Sequence, residues 1–526
     1  MKASKMLLIV FVWLTAITTT NAQVIVDSLY GNNVGSKFGY SVDIAQKGSW
    51  VVVGVPESNN VGDLVNTLTN RGAAYAYTLG NDGYELKGQI LGGNDANDYF
   101  GYSVAISNEG DFVVGSRFDS NDHSAGGNVR VYNFNDATGR WDETANIPSQ
   151  QANEQWGWDV NITRDGEFLV GSAVTHSRTE GPTSAGQIRI YRKNNGSWAS
   201  CNAISYPGSK SSAEFGTAVA ISKGSINGAP SVLVAVSAAK DNPDNIESAG
   251  SVWIYKTNAD CSSPWALIGE SLSGTNVADN FGASLDMSTS TQGIYVAVGS
   301  IKSENETDVE DAGKVQVFEF LNDAWVQKGS TIYGEQVQQY LGSSINIVGD
   351  RLAIGSSQFD IGNGFVNQGK VDVFQYYDDW KKAIEPLQED RANSYLGSSL
   401  AFDGTHLIAG APRNSDIGNQ YGKVVIASMA NEIRIDSVEA TLFADSILVH
   451  FSEGVFGDGD RSLPATIENF VFTFDFFSND QLSAEVTAVT KANGEALTGG
   501  EQVLKFRVNY TNGLPSSGDR IIITLA

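Results

Sequence analysis

The 526-residue chain is poor in the side chains that most often do chemistry. It holds four histidines and two cysteines, and no G-x-S-x-G elbow, H-E-x-x-H pair, Walker loop or Cys/His cluster with metal spacing occurs in it. These absences argue against motif-bearing hydrolases, zinc enzymes and nucleotide-dependent enzymes. They leave open a pair of carboxylates acting on a glycosidic bond, which needs no motif. Cations are scarce too: 34 Lys and Arg face 60 Asp and Glu, a net charge of −26, or −28 once Lys2 and Lys5 of the leader are discounted. Such a surface repels phosphate backbones and anionic lipid heads, so no nucleic-acid partner is expected. Long hydrophobic runs are missing after residue 22, so no transmembrane segment is expected either.

The leader itself reads as a signal peptide over residues 1–22: two lysines, an apolar stretch from Met6 to Ile17, and a small-residue site at Thr20-Asn21-Ala22. A secreted, extracellular or cell-surface protein follows from it. In that oxidising setting Cys201 and Cys261 could pair. Cys201 follows Trp198 whereas Cys261 precedes Trp265, so the two are not at equivalent positions, and both a disulfide and free thiols stay open.

What is abundant is glycine, at 56 residues, with 10% aromatics and only 18% charged residues. That balance favours a turn-rich β protein, and the length predicts two or more domains. An aromatic or Leu followed by Gly recurs at Phe38-Gly39, Phe100-Gly101, Trp156-Gly157, Phe215-Gly216, Phe281-Gly282, Leu341-Gly342 and Leu396-Gly397, seven copies. Each copy continues with an alternating strand, a short turn, an apolar strand ending in small residues, and a longer polar loop. A third strand then follows a Gly (Gly72, Gly127, Gly186, Gly250, Gly313, Gly369, Gly422), and a fourth begins near Trp141, Trp198, Trp265, Trp325 or Trp380, with Tyr84 in the first copy. These rings read as packing between neighbouring repeats. The seventh copy stops after its third strand, and residues 24–31 look like a fourth strand with no repeat of its own. Pairing the two closes a ring and removes its open edges.

The segments "FGYSVDI…VVVGVPE…RGAAYAY" and "LGSSLAF…LIAGAPR…YGKVVIA" resemble the FG-GAP repeats of integrin α-chain propellers and of many bacterial surface proteins. The resemblance implies an all-β fold, a seven-bladed β-propeller over residues 23–430 closed by the N-terminal strand, and it raises the expectation of adhesion. Integrin-type repeats often carry a D-x-D-x-D-G calcium loop between the first two strands. Here that connection reads Ala45-Gln46-Lys47-Gly48 or Thr163-Arg164-Asp165-Gly166, too poor in carboxylates for calcium. No cofactor is therefore expected at those turns.

Connections between second and third strands, and between fourth and first, are long and emerge on one side of the ring. That face is the candidate binding surface. Immediately after the repeated Gly, the first three copies have Tyr40, Tyr102 and Trp158, and three aromatics from adjacent blades would meet at the channel mouth, suited to a sugar ring or an apolar side chain. Filling wider gaps between blades is the plainer alternative. Acidic loops on the same side offer Asp241, Asp244, Asp308 and Asp311 as weak calcium candidates, against a simple solvated acidic surface. His123 and His176 fall in corresponding loops of the second and third copies and read as scattered surface residues.

Beyond Met429 the repeat ends. Residues 431–526 contain regularly spaced strand-like runs, and "SILVHFSEGVF", "NFVFTF" and "SSGDRIIITLA" resemble the Ig-like modules of large bacterial surface proteins, implying a C-terminal β-sandwich. The run ends inside a strand, which reads as a fragment of something longer, and Asp458-Gly459-Asp460 reads as a turn. The function expected from all this is recognition or adhesion: a protein or glycan bound by the long-loop face, without catalysis. A secreted polysaccharide-active enzyme and a purely structural module are the alternatives.

Overall fold

The computed structural model describes residues 24–61, 68–80, 83–290, 293–362 and 366–429, and, further on, 435–440, 446–455, 470–475, 483–491, 496, 501–511 and 520–525. The predicted signal peptide and the Asp458-Gly459-Asp460 turn lie outside them. The chain divides into two compact units, one spanning Ala22–Ala430 and the other containing Asn431–Ala526. Among the described residues the only helical segments are two short turns, Gln46–Gly48 and Pro243–Asn245.

The first unit is a seven-bladed β-propeller, each blade an antiparallel sheet whose first strand is innermost. Blade 2 shows the plan: Phe100–Ile106, Asp111–Ser116, Asn128–Asn135 and Arg140–Pro148 lie side by side in chain order. Blade 7 differs as its sequence predicts. It contains Ser399–Phe402, His406–Ala411 and Lys423–Ser428, and its fourth strand is Val24–Tyr30, paired antiparallel to Lys423–Ser428 with Leu29 opposite Val424.

The core lies between blades rather than within them. Each of seven buried clusters joins one pair of neighbours, as where Phe168, Ile188 and Tyr206 of blade 3 meet Phe215, Val232 and Trp253 of blade 4. The repeated motif makes these contacts close. The backbone N–H of Phe100 donates to the Arg71 carbonyl at 3.2 Å, and a Cβ on Gly72 would fall 2.2 Å from the Phe100 carbonyl oxygen. On the other side of the same seam, a Cβ on Gly101, at φ +81°, would fall 2.3 Å from the Ala73 carbonyl oxygen. Only glycine fits at either place, so the aromatic-Gly pair and the third-strand Gly are two halves of one inter-blade joint.

The fourth-strand rings clasp the outer rim. The indoles of Trp141, Trp265, Trp325 and Trp380 donate to the carbonyls of Lys87, Cys201, Ile268 and Lys328 in the preceding blade at 2.8–2.9 Å. Trp198 is the exception, its buried Nε1 having no partner. Between blades 3 and 4 the rim is also covalent: Cys201 and Cys261 form a disulfide, their Cα atoms 5.8 Å apart. With a sequence separation of 60, the cross-link removes about 4 kcal/mol of unfolded-chain entropy.

The second unit holds a four-stranded sheet, in the order Ile435–Ala440, Ser446–Val455, Glu501–Thr511 and Ser483–Lys491, and a two-stranded ladder of Phe470–Asp475 with Arg520–Leu525. Leu504 and Phe506 are buried in it.

Candidate functional site

At the start of each innermost strand the chain makes a tight turn, with the N–H of Tyr40, Tyr102 and Trp158 donating to the carbonyls of Lys37, Tyr99 and Gln155. This turn sets the residue after the repeated Gly at the channel mouth on the long-loop side. The three aromatics predicted to meet there do so: ring centroids lie 5.1 Å apart for Tyr40 and Tyr102 and 5.3 Å for Tyr102 and Trp158. All three are partly exposed. Trp158 is fixed by its indole N–H, which donates to the Thr217 carbonyl of blade 4 at 3.2 Å. Burial pushes the Tyr102 phenol well above its ordinary pKa, with Tyr40 adding to the shift and Arg117 opposing it, so the hydroxyl stays protonated.

A fourth member of the cluster was not foreseen. Arg117, just past the second strand of blade 2, holds its guanidinium 4.1 Å from the Tyr102 ring centroid, 4.4 Å from that of Phe118 and 5.0 Å from that of Trp158. Lone arginines carry no sequence signal, but comparison between copies would have flagged this one. The backbone bond from each third-strand Gly to the loop before it aligns Arg117 with Pro56, Val174, Ala239, Ile301, Ser357 and Pro412, none of them charged.

The acidic loop residues each have their own surroundings. Asp241 is buried and accepts from the Tyr206 hydroxyl and, at 2.7 Å, from Ser251 Oγ. Asp244 and Asp308 are exposed on loops of different blades, and Asp311 accepts from the Tyr340 hydroxyl at 3.4 Å. Among the described residues no three His, Cys, Asp or Glu side chains converge to hold a metal ion. The histidines brace loops. His123 Nδ1 lies 3.2 Å from Ser149 Oγ, whereas His176 is buried rather than on the surface, its Nδ1 2.7 Å from Glu154, which also pairs with Arg189 at 2.7 Å. Burial opposes the Glu154 charge, but the His176 and Arg189 hydrogen bonds outweigh it and hold the carboxyl below its usual pKa.

The opposite, tight-turn end of the channel opens into a cavity of about 260 Å³ lined by Asp43, Asn161, Arg164, Asp286, Asn346 and Asp403, among others. Two of its carboxyls are raised. Burial lifts Asp286 to about 7, and it lifts Asp43 against the pull of Arg164. A third raised carboxyl, Asp159, sits higher on an inner strand at about 6, again by burial. Raised carboxyls in a cavity suit general-acid chemistry. Each of these three, however, accepts a backbone N–H of the next blade at 2.8 Å: Asp43 from Ile106, Asp159 from Val219 and Asp286 from Ile347. Asn161 does the same for Ile221 at 3.3 Å. Asp43, Asn161 and Asp286 share one inner-strand position, five residues after the repeated aromatic, which thus stitches blade to blade whether it is acid or amide; Asp159 does so from two residues earlier.

Comparison with known families agrees with the repeat plan at one blade: residues 92–132, which cover the first two strands of blade 2 and run into its third, match the FG-GAP repeat. No curated protein matches the chain.

Proposed function

We propose that the protein is an extracellular recognition module that binds a protein or a glycan through the long-loop face of its propeller and performs no catalysis. The observation that carries this is the meeting of Tyr40, Tyr102 and Trp158, supplied one per blade from the same register position to one partly exposed patch. The other four blades form the same joints with Thr217, Ala283, Ser343 and Ser398 at that position, so the fold does not require aromatics there. Rigid rings held at a mouth by surrounding strands are ready to bind without ordering cost. The leader over residues 1–22, the disulfide and the likeness to FG-GAP repeats support an extracellular setting. In this reading the C-terminal strands build an Ig-like spacer, and the raised channel carboxyls hold the ring together.

The test is an array of glycans and extracellular proteins probed with the chain lacking residues 1–22, with and without calcium, beside the Tyr40→Ala/Tyr102→Ala/Trp158→Ala variant. Saturable binding that falls at least tenfold in the variant is expected. A blank array, or turnover of a polysaccharide that survives the triple change, would sink the reading.

A further inference from the structure

We infer that Arg117 is the anchor of this face and that it takes the carboxylate of an acidic sugar. The inference rests on the recognition reading and narrows it.

Among the described residues the guanidinium of Arg117 has no ion-pair or hydrogen-bond partner, and its Nε is buried. Arg130 and Arg189, which are buried, also leave one N–H each without a partner, but both are neutralised: Arg130 pairs with Asp119 at 2.9 Å and Arg189 with Glu154 at 2.7 Å. In a chain with 60 carboxylates, an arginine on the loop face that pairs with none of the described ones is conspicuous. A buried, unpaired N–H costs about 1–3 kcal/mol, and the six aligned positions show that the fold works without it.

Its surroundings select the acceptor. Stacking on Tyr102, Phe118 and Trp158 occupies the faces of the guanidinium. Its N–H donors lie in its own plane, and that edge matches the two oxygens of a carboxylate. Around the rest of the mouth, Thr217, Ser343 and Ser398 occupy the register position of the aromatics and are partly exposed. Each of these hydroxyls donates to a backbone carbonyl, of Glu214, Gly397 and Tyr395, and so can only accept from a ligand's hydroxyls; the mouth therefore has an aromatic arc, a set of acceptor hydroxyls and one fixed cation. A ligand with an apolar ring face, several hydroxyls and one carboxylate answers all three, which is the chemistry of a uronic-acid residue. A dense polyanion does not fit, because the strongly negative surface repels it at long range.

The test titrates the chain lacking residues 1–22 with glucuronic acid, glucose and N-acetylglycine, following binding by NMR. Glucuronate should bind at least tenfold more tightly than glucose. Arg117→Gln should weaken glucuronate at least tenfold, Arg117→Lys should recover part of that, and the melting temperature of each variant should stay that of the parent. Equal affinity for glucuronate and glucose, or glucuronate binding that survives Arg117→Gln, overturns the inference. So does binding of N-acetylglycine in place of glucuronate, which would assign the anchor to a peptide carboxylate. An array hit on a neutral glycan or a protein, unaffected by Arg117→Gln, overturns it while leaving the recognition reading intact; a blank array and no glucuronate binding defeat both.

Discussion

Asp286 bears a burial penalty that an amide would escape. Its folded pKa, about 7, lies above the unfolded value near 3.9, so its share of stability is complete below about pH 4 and is lost as pH rises through 7. Asn161, at the equivalent position of blade 3, keeps the inter-blade bond with a side-chain amide. Asp286→Asn should therefore fold, match the parent near pH 4 and become the more stable protein above pH 7, by ~2–4 kcal/mol. Thermal melts of both proteins across this range check it, and the difference between them removes the opposite acid-side trend contributed by Glu154 and Asp403, whose carboxyls are held low by their hydrogen bonds once burial is overcome. Residues that repeat were readable in the sequence; residues that do not were harder. Tyr40, Tyr102 and Trp158 stood out because they share one register position, and the structure brings them together. Arg117 was missed because its significance is a contrast with six silent positions, visible only once loop hydrogen bonds fix the alignment.

At the scale of the element, the fourth strands offer a controlled comparison. Trp141 donates its indole N–H to Lys87 in the neighbouring blade, while Trp198 occupies the corresponding place with no acceptor. Trp141→Phe keeps the ring and strands the Lys87 carbonyl. It should cost about 1 kcal/mol more than Trp198→Phe, read as a larger drop in the urea midpoint at unchanged slope. Equal costs would mean that ring packing alone seals the rim. The strands themselves were legible from alternation and from the glycines that bound them, including in the C-terminal unit, where the segment SSGDRIIITLA contains the strand Arg520–Leu525. The disulfide was open in the sequence because equivalence between copies is the wrong guide to it. Cys201 lies in the fourth strand of blade 3 and Cys261 in the hairpin turn of blade 4, and these different places are adjacent only because blades stack.

For the whole molecule, the decisive contact is the one between Val24–Tyr30 and Lys423–Ser428. Deleting residues 24–30 leaves blade 7 with an open edge next to the buried Val424 and Ile426. The shortened chain should lose its single sharp melting transition and form concentration-dependent oligomers, since an unpaired strand edge recruits another chain. Size-exclusion chromatography and thermal melts decide this; a monomer with the parent's melting temperature would show that the ring holds without its clasp. Seven blades were countable from the sequence because every joint repeats the same pair, an aromatic or Leu followed by Gly on one side and a third-strand Gly on the other, and closure was legible because one strand was missing at one end and spare at the other. The direction in which the channel acids face was not, since inner-strand side chains are sorted by the twist and tilt of the ring.

That clasp also sets an order of events in time. The strand Val24–Tyr30 is among the first parts of the propeller to be synthesised, and its partner Lys423–Ser428 is the last strand of the propeller to be made. Six blades can assemble from neighbours in sequence, but the final pairing spans nearly the whole propeller and waits until Lys423–Ser428 has been made. Contacts of such separation are slow to form. Until then the nascent chain exposes an edge at each end, and any factor that shields residues 24–30 during synthesis would govern the yield of closed rings.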